Sequence, residues 1–194
     1  MQPLTGIRVL DFSTLLPGPM ATLLLAEAGA EVIKIERPGT GEELRLYEPR
    51  FADTSMHFAM LNRGKRSIAI DLKASDALSR LRPLLAATDV VVEQFRPGVM
   101  DRLGLGYEVL SAINPRLVYC AITGYGQNGP KAQVAAHDLN YQADAGLLSI
   151  AAGADGSPVV PNALHRIPST ARSRSASSMT RMAFLPPISS ATRL

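Results

Sequence analysis

The feature that most constrains this chain is an alternation. Short runs rich in Val and Ile recur at residues 7–12, 31–36, 67–71, 90–93 and 117–123, and each reads as a strand. Between them, residues 20–28, 76–86 and 107–113 have helical composition, with 54–61 a further short helix and 138–150 a late helical run. Gly29 sits where a first helix would close, Ser75 is placed to cap the second, and Pro83 is placed to kink it or move its boundary. Pro17-Gly18-Pro19 reads as a turn ahead of the first helix. Strand, helix, strand, with connections of this length, predicts an α/β fold: a doubly wound, mostly parallel sheet.

Charge divides the chain in two. The whole has 20 basic and 17 acidic residues, a net +3, and a pI near 9.2. Residues 165–194 hold Arg166, Arg172, Arg174, Arg181 and Arg193 and no acid, so residues 1–164 carry 15 basic against 17 acidic, a net of −2. The basic pI belongs to the tail. Nucleic acid is therefore a poor partner, the more so as the tail has no aromatic interleaving apart from Phe184. From His165 the chain has seven Ser, three Thr and no Gly, and it lacks the upstream periodicity. Residues 1–164 are read as the α/β domain. Residues 165–194 are read as an Arg/Ser-rich tail, either a disordered solvated arm or an out-of-frame translation.

The single cysteine, Cys120, lies in the apolar run 117–123 and reads as a small buried hydrophobe. With no internal disulfide to form and no signal pattern at the N-terminus, a cytoplasmic location is expected. The apolar stretch 15–26 is broken by Pro17, Gly18 and Pro19, so no membrane span is expected. No His/Cys cluster points to a metal.

Parallel sheets bind ligands at the carboxyl ends of their strands. The residues after the second, third and fourth strands bring a cation each: Arg37, Lys73 and Arg96, with Arg102 a short turn further on. Any one of them reads equally as solvated loop charge. Together at corresponding ends they suit a polyanion such as a nucleotide pyrophosphate. Gly124-x-Gly126-x-x-Gly129 matches the dinucleotide fingerprint in letters, but it lies after the fifth strand, and Pro130-Lys131 follows where a helix should start. It reads as a flexible loop that lets backbone approach a ligand. His137 follows this loop at the start of a helical run and is a candidate for proton transfer or for a structural role. His57 and His165 have no such context.

At this point the motifs fall into a known order. Pro3-Leu4-x-Gly6-Ile7-Arg8-Val9-Leu10-Asp11, Gly18-Pro19 and Leu25-Ala26-x-x-Gly29-Ala30-Glu31-Val32-Ile33-Lys34-Ile35-Glu36 come first. Asn62-Arg63-Gly64-Lys65-Arg66-Ser67, Phe95-Arg96-Pro97-Gly98-Val99-x-x-Arg102-Leu103-Gly104 and Gly124-Tyr125-Gly126-Gln127-x-Gly129-Pro130 follow. Over residues 3–164 the chain resembles the N-terminal part of the family III CoA-transferases (CaiB/BaiF-type), which implies a Rossmann-like large domain. Ala136-His137-Asp138-Leu139-Asn140-Tyr141 looks like the alpha-methylacyl-CoA racemase branch.

The resemblance implies proton transfer at the carbon α to an acyl-CoA thioester, with His137 as one acid/base. It maps the CoA contacts onto Arg37, Ile70, Asp71, Leu72, Lys73, Gln94, Phe95, Arg96, Arg102, Ala136, Asp138, Leu139, Asn140 and Tyr141. Coenzyme A would enter as part of the substrate, with no tightly bound cofactor. The alternatives are a transferase moving CoA between carboxylic acids, and a non-catalytic CoA-binding fragment. In the family a catalytic Asp follows a Pro-x-Asn-x-Leu-like segment. Here Pro161-Asn162-Ala163-Leu164 is followed by His165-Arg166-Ile167-Pro168, and the last acid of any kind is Asp155. The expectation is a truncated, inactive form that does not make the interlocked homodimers of full-length relatives.

Overall fold

Val9, Leu10, Val32, Ile33, Ile35, Val91 and Val92 are apolar on neighbouring positions, so both faces of their strands must be covered. The structure, a computed structural model, buries all of them in one sheet. It describes residues 2–150, 153, 155–157, 159 and 181–185. The strands are β1 (Arg8–Asp11), β2 (Glu31–Glu36), a short antiparallel ribbon of β3 (Arg50–Phe51) and β4 (Thr54–Ser55), then β5 (Arg66–Ala69), β6 (Val90–Glu93) and β7 (Val118–Thr123). The main sheet runs β5-β2-β1-β6-β7, and each of these neighbouring pairs is parallel. A last strand, β8 (Arg181–Leu185), forms within the tail read as having no strand period, where Met182-Ala183-Phe184-Leu185 gives four apolar residues in a row. The rest of the tail reading, residues 165–180 and 186–194, lies outside the described residues, as does Pro161-Asn162-Ala163-Leu164.

Helices lie on both faces. Leu10, Phe12, Ile33, Ile35 and Val91 pack with Leu81 and Leu85 of α3 (Ala77–Ala86) and Leu110 of α5 (Tyr107–Ile113). Val9, Val32, Val92, Cys120 and Ile122 pack on the opposite face with Ala21, Leu25 and Ala26 of α1 (Pro17–Glu27). Each fully buried leucine of this kind contributes about 2 kcal/mol over an exposed one. The doubly wound α/β expectation is met.

Several boundaries differ from the sequence reading. Pro17 opens α1 instead of turning the chain before it, because a helix's first residues need no N–H partner and proline's fixed φ already suits them. The cap of α3 is Asp76 and not Ser75, and Pro83 sits inside the helix without ending it. The short helix α2 is Met56–Asn62, with the Ser55 hydroxyl accepting the Phe58 N–H at 3.4 Å. A one-turn helix, α4 (Val99–Arg102), was not foreseen; it starts on Gly98, whose φ of +79° suits glycine. The late helical run divides into α6 (Asp138–Asp144) and a 3-10 turn (Leu147–Ser149), because Gly146 between them adopts φ +74°. No described helix is long and apolar enough to cross a membrane.

The chain divides into two units, Met1–Ile122 with Phe184–Leu194, and Thr123–Ala183.

Candidate functional site

In the first unit, chain order moves from β1 through β2 to β5 on one side of the sheet, then returns to place β6 and β7 on the other. The order reverses between β1 and β6. Beyond the carboxyl ends of those two strands lies the crevice where open α/β sheets hold ligands. The loop after β1 and the turn after β6 form its two sides.

Gln94, the residue after β6, ties the two sides together. Its Nε2 donates to the Thr14 carbonyl at 2.6 Å, and its Oε1 accepts the Gly18 N–H at 3.0 Å. A side chain at position 18 has no space: a Cβ there would lie 2.1 Å from the Ser13 Cβ and 2.6 Å from Gln94 Oε1. Within the same loop, Leu15 holds φ +62°, a conformation that a branched residue adopts only under constraint.

The constraint comes from a buried polar network under the loop. Asp11 is fully buried and accepts the Ser13 N–H at 2.9 Å, the Ser13 hydroxyl, the Thr22 hydroxyl at 2.6 Å and Lys65 Nζ at 3.1 Å. Lys34 is 1% exposed, donates to the Ser13 carbonyl at 2.7 Å and pairs with Glu42. Lys65 also donates to the Pro19 carbonyl at 2.8 Å, Thr22 Oγ1 at 2.7 Å and Asn62 Oδ1 at 2.9 Å. Burial opposes the charge on Asp11, but Lys34, Lys65 and its hydroxyl donors outweigh it and hold its carboxyl below the ordinary range. Burial dominates at Lys65 and at Glu42, lowering the amine and raising the acid.

Next to this network, Glu36 accepts Arg45 Nε and Nη2, each at 2.7 Å, the Glu42 N–H at 3.0 Å and the Ser67 hydroxyl. Its burial is overcome by these donors, and its carboxyl falls to about 2.

The sequence-derived candidates of this unit sit as follows. Arg37, Asp71, Lys73, Arg96 and Arg102 are exposed, Leu72, Gln94 and Phe95 are half-buried, and Ile70 is a core residue. Arg37 Nε donates to the Gly41 carbonyl at 2.7 Å and closes its own loop. Asp71 accepts the Lys73 N–H at 2.9 Å. A Cβ on Gly98 would lie 3.5 Å from a guanidinium nitrogen of Arg102, so that side chain folds back over the turn bearing Arg96. Glu93, the last residue of β6, accepts the Phe95 N–H at 2.6 Å and the Tyr119 hydroxyl. A cavity of about 460 Å³ along β5 and α3 shares Ile70 with this region, but its other lining, Arg8, Ile68, Arg80, Leu81, Pro83 and Leu84, offers two guanidinium groups and no carboxyl, imidazole or nucleophile.

In the second unit, Gly126 and Gly129 hold φ of +87° and +105°, and no helix follows them before Asp138; the fingerprint letters mark a loop. His137 is the exposed N-cap of α6, and Asn140 accepts its N–H at 2.9 Å. Asp138 accepts Gln142 Nε2 at 2.6 Å, and Leu139 is exposed. Tyr141 donates to the Ala136 carbonyl at 3.3 Å and packs edge-on against Tyr125 at 5.2 Å. Gly124 leaves room for it, since a Cβ there would lie 2.0 Å from the Tyr141 hydroxyl. Asp144 joins Tyr125 and Lys131, at 2.5 Å and 3.0 Å, and its hydrogen bond pushes the Tyr125 hydroxyl up to about 12. These residues, with Ala136 and Asn140, line a cavity of about 260 Å³. Among the described residues no cluster of His, Cys, Asp and Glu suits a metal ion.

Sequence reading missed the network under the β1–α1 loop. A signal was present: Asp11, Lys34, Glu36 and Glu93 are charges inside strand-forming runs, and charges there are buried only when paired or hydrogen-bonded.

The model of CoA-transferase family III matches residues 4–169. The chain belongs to that family. It is 45% identical over 162 residues to succinyl-CoA:glutarate CoA-transferase of Mus musculus, covering 83% of this chain and 37% of that protein. It is 39% identical over 158 residues to alpha-methylacyl-CoA racemase of Homo sapiens, covering 81% of this chain and 38% of the relative. A solved hypothetical protein from Mycobacterium tuberculosis superposes with a TM-score of 0.77 at 40% identity, over 84% of this chain and 45% of that one. The chain thus spans less than half the length of each of these three proteins.

Proposed function

We propose that this chain carries the CoA-binding side of a family III acyl-CoA enzyme, with CoA transfer between carboxylic acids as the leading reading. The observation that carries it is the clamped crevice between β1 and β6: a strained loop fixed by Gln94, beside a turn that exposes Arg96 and Arg102. Guanidinium groups in such a place pair with the phosphates of CoA, while Phe95 and Leu72 offer apolar surface for the rest of the molecule. Arg37 and Lys73 extend the same chemistry to the ends of β2 and β5. By the family resemblance alone, Ala136, Asp138, Leu139, Asn140 and Tyr141 of the half-buried or exposed segment 136–141 are proposed as a further group of CoA contacts.

Transfer is preferred to racemisation because a relative named for transfer matches at 45% over 162 residues, against 39% over 158 and 44% over only 147 for two racemases. Racemisation remains the second reading, favoured by the exposed imidazole of His137. Both need a carboxylate in the region after Leu164, where this sequence has none, so the chain as given is proposed to bind CoA without turning it over. Neither reading calls for a metal or a tightly held cofactor.

Calorimetric titration with CoA tests the proposal. Binding is expected to weaken in Arg96→Ala and Arg102→Ala, and absence of CoA binding in the parent chain overturns it. Appearance of labelled CoA on a second carboxylic acid would overturn the inactivity. Deuterium uptake α to a 2-methylacyl thioester, lost in His137→Ala, would replace transfer by racemisation.

A further inference from the structure

Glu93 is 4% exposed at the end of β6, directly before Gln94. A buried carboxyl is costly unless its position is used. Its Oε2 accepts the Phe95 N–H at 2.6 Å, reaching forward over Gln94, while the Tyr119 hydroxyl on β7 donates to the same carboxyl. Tyr119 is fixed in turn by edge-on packing of Tyr107 at 6.0 Å. The next backbone bond closes the turn: the Val99 N–H reaches the Arg96 carbonyl at 3.0 Å, and Gly98 adopts its φ of +79°. Gln94 is held by Thr14 and Gly18, and the Phe95 end of the turn is held from inside the core through the Glu93 carboxyl.

We propose that Glu93 is a positioning residue whose buried carboxylate, by accepting the Phe95 N–H, holds the 94–98 turn in the form that presents Phe95 and Arg96 to CoA, and that protonating it loosens the turn. The inference rests on the CoA-binding reading of this crevice. A carboxylate accepts an amide hydrogen bond more strongly than a carboxylic acid, a difference of about 1 kcal/mol, or roughly fivefold in an equilibrium. Among the described residues, the titratable groups that act on Glu93 are Tyr119 of β7 and Asp101 of α4, with Cys120 of β7 coupled to it from the opposite face of the sheet, and none of them is a cation. Burial first, and Asp101 in addition, push its carboxyl up to about 7 against the opposing pull of the Phe95 and Tyr119 donors. The turn would thus change state within the ordinary working range of a protein.

Two readouts on the intact chain test this. The Phe95 amide resonance is expected to titrate with a midpoint near that of Glu93, to lose the titration in Glu93→Gln, and to move its midpoint to higher pH in Tyr119→Phe, which removes one donor to the carboxylate. CoA affinity is expected to fall about fivefold between pH 8 and pH 6 beyond any fall seen in Glu93→Gln, whose slope reports titration of CoA itself. A Phe95 amide that does not titrate, or equal pH slopes of affinity in parent and Glu93→Gln, overturns the proposal. A Phe95 amide that titrates in a chain binding no CoA at any pH overturns instead the CoA reading, and with it the link from the turn to binding.

Discussion

A methyl group added at Gly18 would collide with both Ser13 and Gln94, the two residues that define the β1–α1 loop. Gly18→Ala should therefore displace the loop and cost about 1–3 kcal/mol in urea unfolding, the usual range for overpacking. Glu93 makes a prediction of opposite sign. Its carboxyl is raised from 4.5 to about 7 in the folded chain, so the folded state binds its proton more tightly than the unfolded state does. The stability this gives is fully present below the unfolded value and is lost as pH rises through the folded one. Urea midpoints should fall between pH 5 and pH 8, and less so in Glu93→Gln. The same residue would then cost stability at the pH where it orders the turn, a common relation between stability and a working site.

At the scale of elements, β2 carries the sharpest test. Lys34 pairs with Glu42 and with the loop carbonyl of Ser13, and lies 4.0 Å from Asp11. Lys34→Met leaves the buried Glu42 without this cation and Asp11 with Lys65 alone, and should destabilise the chain by about 3–5 kcal/mol. Glu36, at the end of the same strand, is lowered from 4.5 to about 2. Its contribution is present above pH 4.5 and lost as pH falls towards 2, so Arg45→Met should shift acid unfolding to higher pH, followed by circular dichroism. Strand β2 also shows what periodicity could deliver. Its limits, and those of β6 and α5, were legible because branched apolar residues and turn residues agree there. The alternation of Lys34 and Glu36 with apolar neighbours is the pattern of a half-exposed strand, yet both are buried, since their partners Glu42 and Arg45 arrive from a loop with no periodicity to read. That exposed cations follow the strands was legible from the sequence; the clamp of the crevice was not, because Gln94 meets Thr14 and Gly18 only when β1 and β6 pair.

For the whole molecule, net charge and working charge separate. The five arginines of residues 165–194 set the basic pI, while residues 1–164 carry a net −2 with cations exposed at the strand ends. Deleting residues 165–194 should bring the isoelectric point below neutrality, a shift that isoelectric focusing reads directly. The strand order has a temporal consequence as well. Every bond that clamps the crevice joins residues 76 to 80 positions apart, so the site is among the most non-local parts of the chain. Such contacts form late, after the intervening loop entropy has been overcome. On a ribosome, β1, β2 and β5 would emerge and pair while the crevice still had only one wall. Its completion would mark the moment when residues near 94 join the sheet, making Gln94 a natural position for a probe of assembly.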